Sequence, residues 1–209
     1  MKSCSGILSL LLCALLFVVP AVAEQTEGEQ LYQSCAACHG PQAQGIPALK
    51  SPALAGLNAD YITRQLIHFK TRIRGNNDDP FAAQMLQSVK VLADEQAIKQ
   101  VADYLATLDV PKIEPSLEGD AKRGQNLYNG SCGACHGASG QGNPALHAPR
   151  LANQHTDYLV RQLRAFKQGK RGTEQADKYG RQMAMMATSL NIEKDIPDIL
   201  SYLQTRQEN

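Results

Sequence analysis

The chain has 209 residues, 21 Lys and Arg against 20 Asp and Glu, and no Trp. This balance excludes the basic surplus of a nucleic-acid-binding protein. The length suits one or two domains, and a core with only 4 Phe and 7 Tyr would be filled out by a large apolar cofactor.

Lys2 precedes an apolar run from Ile7 to Val19, Pro20 breaks the run, and Ala21-Val22-Ala23 supplies small residues for cleavage. This is the layout of a cleaved secretory signal peptide over residues 1–23. The run is short for a membrane span, which weighs against an uncleaved anchor. Leu12 before Cys13 weighs against a lipoprotein. Cleavage removes Cys4 and Cys13 and leaves Cys35, Cys38, Cys132 and Cys135. Charge is uneven along the remainder. Residues 24–112 carry 8 basic and 10 acidic side chains, and residues 120–209 carry 12 and 8. Two halves of opposite sign suit docking to different partners, or docking in one orientation.

The chain repeats itself once. Ser34-Cys35-Ala36-Ala37-Cys38-His39-Gly40 is answered by Ser131-Cys132-Gly133-Ala134-Cys135-His136-Gly137, at an offset of 97 residues. Tyr61-Ile62-Thr63-Arg64-Gln65-Leu66 is answered by Tyr158-Leu159-Val160-Arg161-Gln162-Leu163, and Phe69-Lys70 by Phe166-Lys167. After Gly75 and Gly172 the offset becomes 98, so the second copy has one inserted residue there. A period this long means a duplicated domain. Pro111, Pro115 and Gly119 mark the joint. The expected domains are residues 24–111 and 120–209, joined by a linker over 112–119.

Both copies read as helical, and no segment alternates at the period of a strand. Asn58 is a predicted N-cap with Leu57 before it. Ile62, Leu66, Phe69 and Ile73 form one apolar stripe, and Ile98, Val101, Ala102 and Leu105 form a second. Ile196, Ile199, Leu200 and Leu203 repeat the second stripe. Pro197 lacks an amide donor, which predicts that the last helix starts close to it.

Cys-x-x-Cys-His is the attachment signature of c-type haem. Two thiols one helical turn apart can each add to a vinyl group of one porphyrin, and the adjacent imidazole then points at the iron. Two motifs at matched places in an exported chain make a strong signal for two c-type haems, covalently bound. A redox dithiol would expect a βαβ context. One zinc site on four cysteines would leave His39 and His136 unexplained. Structural disulfides between the halves are the third competing reading.

Met85 and Met183 hold matching places, each seven residues before Leu92 or Leu190. Thioether sulfur is a soft ligand, and His/Met ligation raises haem potential. Met185 and Met186 are rivals in the second copy. His68, His147 and His155 face Ala165, Lys50 and Asn58 in the repeat, so they read as solvated or locally packed. Arg64, Arg161, Lys70 and Lys167 read as a solvated helix face, with a place near haem propionates as the alternative.

On these motifs, spacings and conjoined halves the chain resembles the dihaem class I cytochromes c, and most of all the cytochrome c4 family, over essentially its whole mature length. The resemblance implies an all-α fold: two tandem class I cytochrome c domains, one covalent haem each, after the cleaved signal peptide. It implies a helix crossing at Gly28, Tyr32 and Tyr104, repeated at Gly124, Tyr128 and Tyr202. It places the carbonyls of Pro52 and Pro149 on the ligand imidazoles, and Leu54 and Leu151 on the haem faces. His39 with Met85, and His136 with Met183, become the axial pairs. The implied role is a periplasmic electron carrier without substrate turnover. Its partners would be respiratory redox proteins: a donor cytochrome or quinol-oxidising complex, and a terminal oxidase or reductase. Some members of the family associate loosely with the membrane. The alternative is a peroxidase-like or sulfur-compound-oxidising dihaem enzyme with one open iron, or a permanent subunit of a larger complex.

Overall fold

The computed structural model describes residues 25–75, 79–113 and 118–206. The expected signal peptide and Pro115 lie outside the described residues. Among the described residues, four α-helices build the first half: α1 (Glu27–His39), α2 (Ala59–Lys70), α3 (Pro80–Ser88) and α4 (Glu95–Thr107). The second half holds α5 (Ala121–Ser131), α6 (Gly133–His136), α7 (Thr156–Lys167), α8 (Lys178–Thr188) and α9 (Ile192–Thr205). Among the described residues the only extended pairings are two isolated bridges, Ile46 with Ser51 and Asn143 with Ala148.

Short polar residues start most of these helices by accepting amides that no helical carbonyl can reach. Asn58 accepts from Tyr61 N at 3.3 Å, as its sequence position predicts. Asp79, Asp94, Asp120, Asp177 and Asn191 cap α3, α4, α5, α8 and α9. Pro80 sits in the first turn of α3, where its missing donor costs nothing.

The last helix departs from the sequence expectation. α9 starts at Ile192, five residues before Pro197, and runs through it. The Asn191 side chain accepts from both Glu193 N and Lys194 N at 3.2 Å, which fixes the start upstream. The Asp198 carboxylate then accepts from Asp120 N at 2.8 Å and pairs with Arg123, so the segment around the proline is anchored from outside. A cap and a side-chain clamp outweigh one lost helical bond here.

In each half the first and last helices cross at a glycine. A Cβ on Gly28 would lie 2.3 Å from the Gln100 carbonyl oxygen, and one on Gly124 only 1.8 Å from that of Asp198. The tyrosines beside the crossing pack with tilted rings, at centroids 5.8 Å apart for Tyr32 and Tyr104, and 5.5 Å for Tyr128 and Tyr202. Under these crossings lie two apolar cores. Ile62, Phe69, Ile98, Val101, Ala102 and Leu105 are buried in one, with Leu66 packed against it. Ile196, Ile199, Leu200 and Leu203 are buried in the other. Both predicted terminal-helix stripes therefore face a core. Ile73 lies beyond the end of α2, half-buried.

Candidate haem sites

α1 carries Cys35, Cys38 and His39 on its final turns, and then Gly40 turns the chain away at φ 83°. Gly137 does the same at φ 82° after His136. The left-handed region suits glycine, and a side chain there would also strike Gln44 or Gln141. The carbonyls of these glycines accept from Tyr32 at 2.5 Å and from Tyr128 at 2.6 Å. The loop that follows closes on itself: Gly45 N donates to His39 O and Gly142 N to His136 O, each at 2.8 Å.

This loop brings a proline carbonyl under each imidazole. His39 Nδ1 donates to Pro52 O at 3.0 Å, and His136 Nδ1 to Pro149 O at 2.8 Å. A carbonyl only accepts, so Nδ1 carries the proton and Nε2 keeps its lone pair. Both rings are buried, and burial pushes their pKa below the ordinary value, only partly opposed by the carbonyl bond. Each histidine is thereby neutral, of fixed tautomer, and ready to bind a metal through Nε2.

Burial also raises the thiol pKa of Cys35, and lifts that of Cys132 to about 11. Catalytic and redox dithiols show the opposite shift. The first cysteine of each motif thus lacks the lowered pKa expected of a redox dithiol.

A single cavity of about 410 Å³ runs through both halves. Its lining includes Cys35, Cys38, His39, Pro52, Leu54 and Met85, and the matching Cys132, Cys135, His136, Pro149, Leu151 and Met183. A mostly apolar space of this size suits a buried organic group. Met85 on α3 and Met183 on α8 are both half-buried. Met186 also lines the cavity but is 43 % exposed, whereas Met185 is 67 % exposed and does not line it. Two thiols, one metal-ready imidazole and one thioether per half, around an apolar space, fit a covalently held haem in each.

Of the repeated basic residues, Lys70 and Lys167 are exposed, as a solvated face predicts, whereas Arg64 and Arg161 are half-buried. Lys70 Nζ donates to the carbonyls of Leu92 and Ala93, and Lys167 Nζ to those of Leu190 and Thr188. They hold the loop after the methionine helix. Arg64 and Arg161 cross between the halves instead, to His147 O at 2.9 Å and to Lys50 O at 2.7 Å.

The sequence reading missed the contact between the halves. Gln154 docks on Ala53, donating to its carbonyl at 2.8 Å and accepting from its amide at 2.9 Å. His155 Nε2 donates to Gln44 O at 2.8 Å. His147 stacks on Tyr179 at 4.4 Å within its own half, and buried His68 lies 3.7 Å from Asp177 of the other half. The three unrepeated histidines are thus packed, two of them directly across the joint. Their failure to repeat was the available signal, since a joint between copies is where copies need not match.

The cytochrome c family model matches residues 25–109 and 121–207. The chain is 32 % identical over 196 residues to cytochrome c4 of Thiocapsa roseopersicina, covering 88 % of this chain and 94 % of that one. It is 29 % identical over 179 residues to a thiosulfate dehydrogenase electron acceptor of Stutzerimonas stutzeri, covering 76 % and 78 %. The crystal structure of reduced recombinant cytochrome c4 from Pseudomonas stutzeri superposes with a TM-score of 0.68 at 26 % identity, covering 87 % of this chain and 98 % of that one. The chain belongs to the cytochrome c family, as a dihaem protein of the cytochrome c4 kind: an electron carrier, not an enzyme, with two covalently bound c-type haems.

Proposed function

We propose that the chain is a periplasmic shuttle, exported by residues 1–23, that carries single electrons from a respiratory donor to a terminal oxidase or reductase. The donor class includes a cytochrome, a quinol-oxidising complex or a dehydrogenase. The last is supported by the likeness to a protein named as the electron acceptor of thiosulfate dehydrogenase. Residues 24–111 and 120–209 act as the two carrying domains, joined through 112–119.

When bound, each haem supplies a one-electron iron couple whose potential is raised by His/Met ligation. In this reading Cys35 and Cys38 hold the first haem and Cys132 and Cys135 the second. His39 with Met85, and His136 with Met183, would ligate the irons. The carbonyls of Pro52 and Pro149 fix the imidazoles, and Leu54 and Leu151 pack on the haem faces and keep water out. The observation that carries the reading is the twofold recurrence of a carbonyl-tethered imidazole and a half-buried thioether on one cavity. With a histidine and a methionine of the chain available to each iron, neither haem would offer a substrate an open site.

Met85→Ala, Met183→Ala and Met186→Ala test the assignment. The first two are expected to retain two covalent haems and to gain carbon monoxide binding at one of them. Met186→Ala is expected to bind none. Binding by Met186→Ala, with Met183→Ala silent, would transfer the ligand role to Met186.

A further inference from the structure

Asp79 and Asp177 hold matching places and cap α3 and α8, the helices that carry Met85 and Met183. Asp79 is half-buried, whereas Asp177 is only 4 % exposed. Facing Asp177 from the first half is His68, whose Nδ1 lies 3.7 Å from Asp177 Oδ1. The place of His68 in the second half is taken by Ala165. One copy thus sets an imidazole against the buried cap of the other, and an alanine cannot return the pairing.

His68 is buried as deeply as its partner, and its Nδ1 has no hydrogen-bond partner. Asp177 Oδ1 accepts from Gly180 N at 2.8 Å. A carboxylate oxygen has room for a second donor, and an imidazolium donates from both nitrogens. A protonated His68 would therefore gain a charge-assisted bond to Asp177 that the neutral ring lacks. The surroundings pull in both directions. Asp177 favours the cation, as does the last turn of α2, where His68 sits among free carbonyls. Burial opposes it most strongly, followed by the charges of Arg64 on α2, Arg171 beyond α7 and Arg74 beyond α2. Arg74 and Arg171 are fixed there by Gln65 and Gln162, whose amide oxygens each accept from both arginines. The balance holds the His68 pKa below the ordinary value, so the ring is neutral at pH 7.

We infer that His68 and Asp177 form a proton-binding pair coupled to the redox state of the second haem. The inference rests on the placement of that haem against Met183 proposed above. One electron from the donor takes the iron from ferric to ferrous and lowers the charge of the second half by one. One proton from bulk water, bound by His68 and shared with Asp177, offsets that change. α8 joins the two events, since Asp177 caps its start and Met183 lies along it. His68 is thus a positioning residue that acts on the potential through Asp177. The first haem has no such pair, because Ala165 replaces the imidazole.

The test is an optical redox titration of the dihaem protein between pH 8 and pH 5. Cys132→Ala with Cys135→Ala, which keeps only the first haem, assigns the midpoints. As pH falls below about 6.5, the ferrous-to-ferric ratio of the second haem at fixed potential should rise about threefold, the order of one added charge acting through an effective dielectric of about 20. The first haem should move less. His68→Ala, which copies the second half, should abolish the difference between the haems and leave the midpoints at pH 8 unchanged, because the native ring is already neutral there. His68→Gln reads the same effect if the alanine variant fails to fold. Asp177→Asn keeps an acceptor for Gly180 N but withdraws the charge, and should move the pH dependence to lower pH. A pH profile unaltered by the His68 substitutions would overturn the pair, since other carboxylates would then be the groups that titrate. An equal pH dependence of both haems in the native protein would overturn it as well. A native protein without two low-spin haems at pH 8 would instead defeat the haem placement, a result visible before any pH is varied.

Discussion

The two halves perform the same local task with different means, and the difference shows which features the site requires. Tyr32 stands three residues before Cys35, whereas Tyr128 stands four before Cys132. Yet both tyrosines reach the glycine after the histidine, and both histidines reach a proline carbonyl. The second copy absorbs its extra residue by breaking the helix. α1 is continuous through its motif, whereas α5 ends at Ser131 and α6 begins at Gly133, with Cys132 between them at φ −123°. Gly130 and Gly133 flank the break and lower the cost of leaving helical geometry. The tethered tyrosine and imidazole are kept, and helix continuity gives way.

The helix crossings differ in charge in the same manner. In the first half Gln100 Nε2 donates to the Glu27 carboxylate, an amide-to-acid bond. In the second, Arg123 pairs with both Asp195 and Asp198. The close glycine contact is common to both, and the polar clamp beside it is interchangeable.

The largest expected effect separates the halves outright. Cys35→Ala with Cys38→Ala should remove only the first haem, and Cys132→Ala with Cys135→Ala only the second. Covalent haem, read by mass, should fall from two per chain to one in each case. Two haems retained in either double variant would defeat the attachment residues.

Next comes the crossing. Gly124→Ala should cost about 3 kcal/mol or more, and Gly28→Ala less, because the backbone lies closer at Gly124. Denaturant unfolding of both variants would break the comparison if their order were reversed. Tyr32→Phe and Tyr128→Phe should each cost about 1 kcal/mol, since each removes one of two hydrogen bonds that the glycine carbonyl accepts, the other coming from Ala43 N or Gly140 N. Near-equal losses are expected despite the broken helix in the second half.

The smallest effect is in acid. The hydrogen bond from the Asp120 amide and the pairing with Arg123 hold the Asp198 carboxyl below its ordinary pKa. Asp195 is lowered likewise, by the Asn191 amide first and then Arg123, against its partial burial. A depressed carboxylate contributes stability above its unfolded pKa of about 4, and that contribution is lost as pH falls through the folded value. Below about pH 4, amide exchange should therefore accelerate more in α5 and α9 than in α1 and α4. Asp198→Asn should shrink that difference.

What the sequence made legible was whatever repeats within a short stretch. The Cys-x-x-Cys-His motifs, the matched Met85 and Met183, the capping Asn58 and the terminal-helix stripes all declare themselves by local spacing. Pro197 misled because its start signal competes with Asn191 and with Asp198, whose partners lie in α5 or just before it. The contact between the halves was illegible for a related reason. Arg74, Gln65, Tyr61 and their counterparts repeat visibly, but spacing along one copy cannot say that each arginine meets the glutamine of the other. Such a contact depends on how two finished domains pack, which leaves no periodic trace.

The most direct measurement is an optical redox titration of the mature protein, with and without carbon monoxide. Two low-spin haems of high potential, both indifferent to carbon monoxide, are expected of irons capped by His39 and Met85 and by His136 and Met183. A haem that stays high-spin, or that binds carbon monoxide, would reveal an open iron and contradict a protein built only to carry electrons.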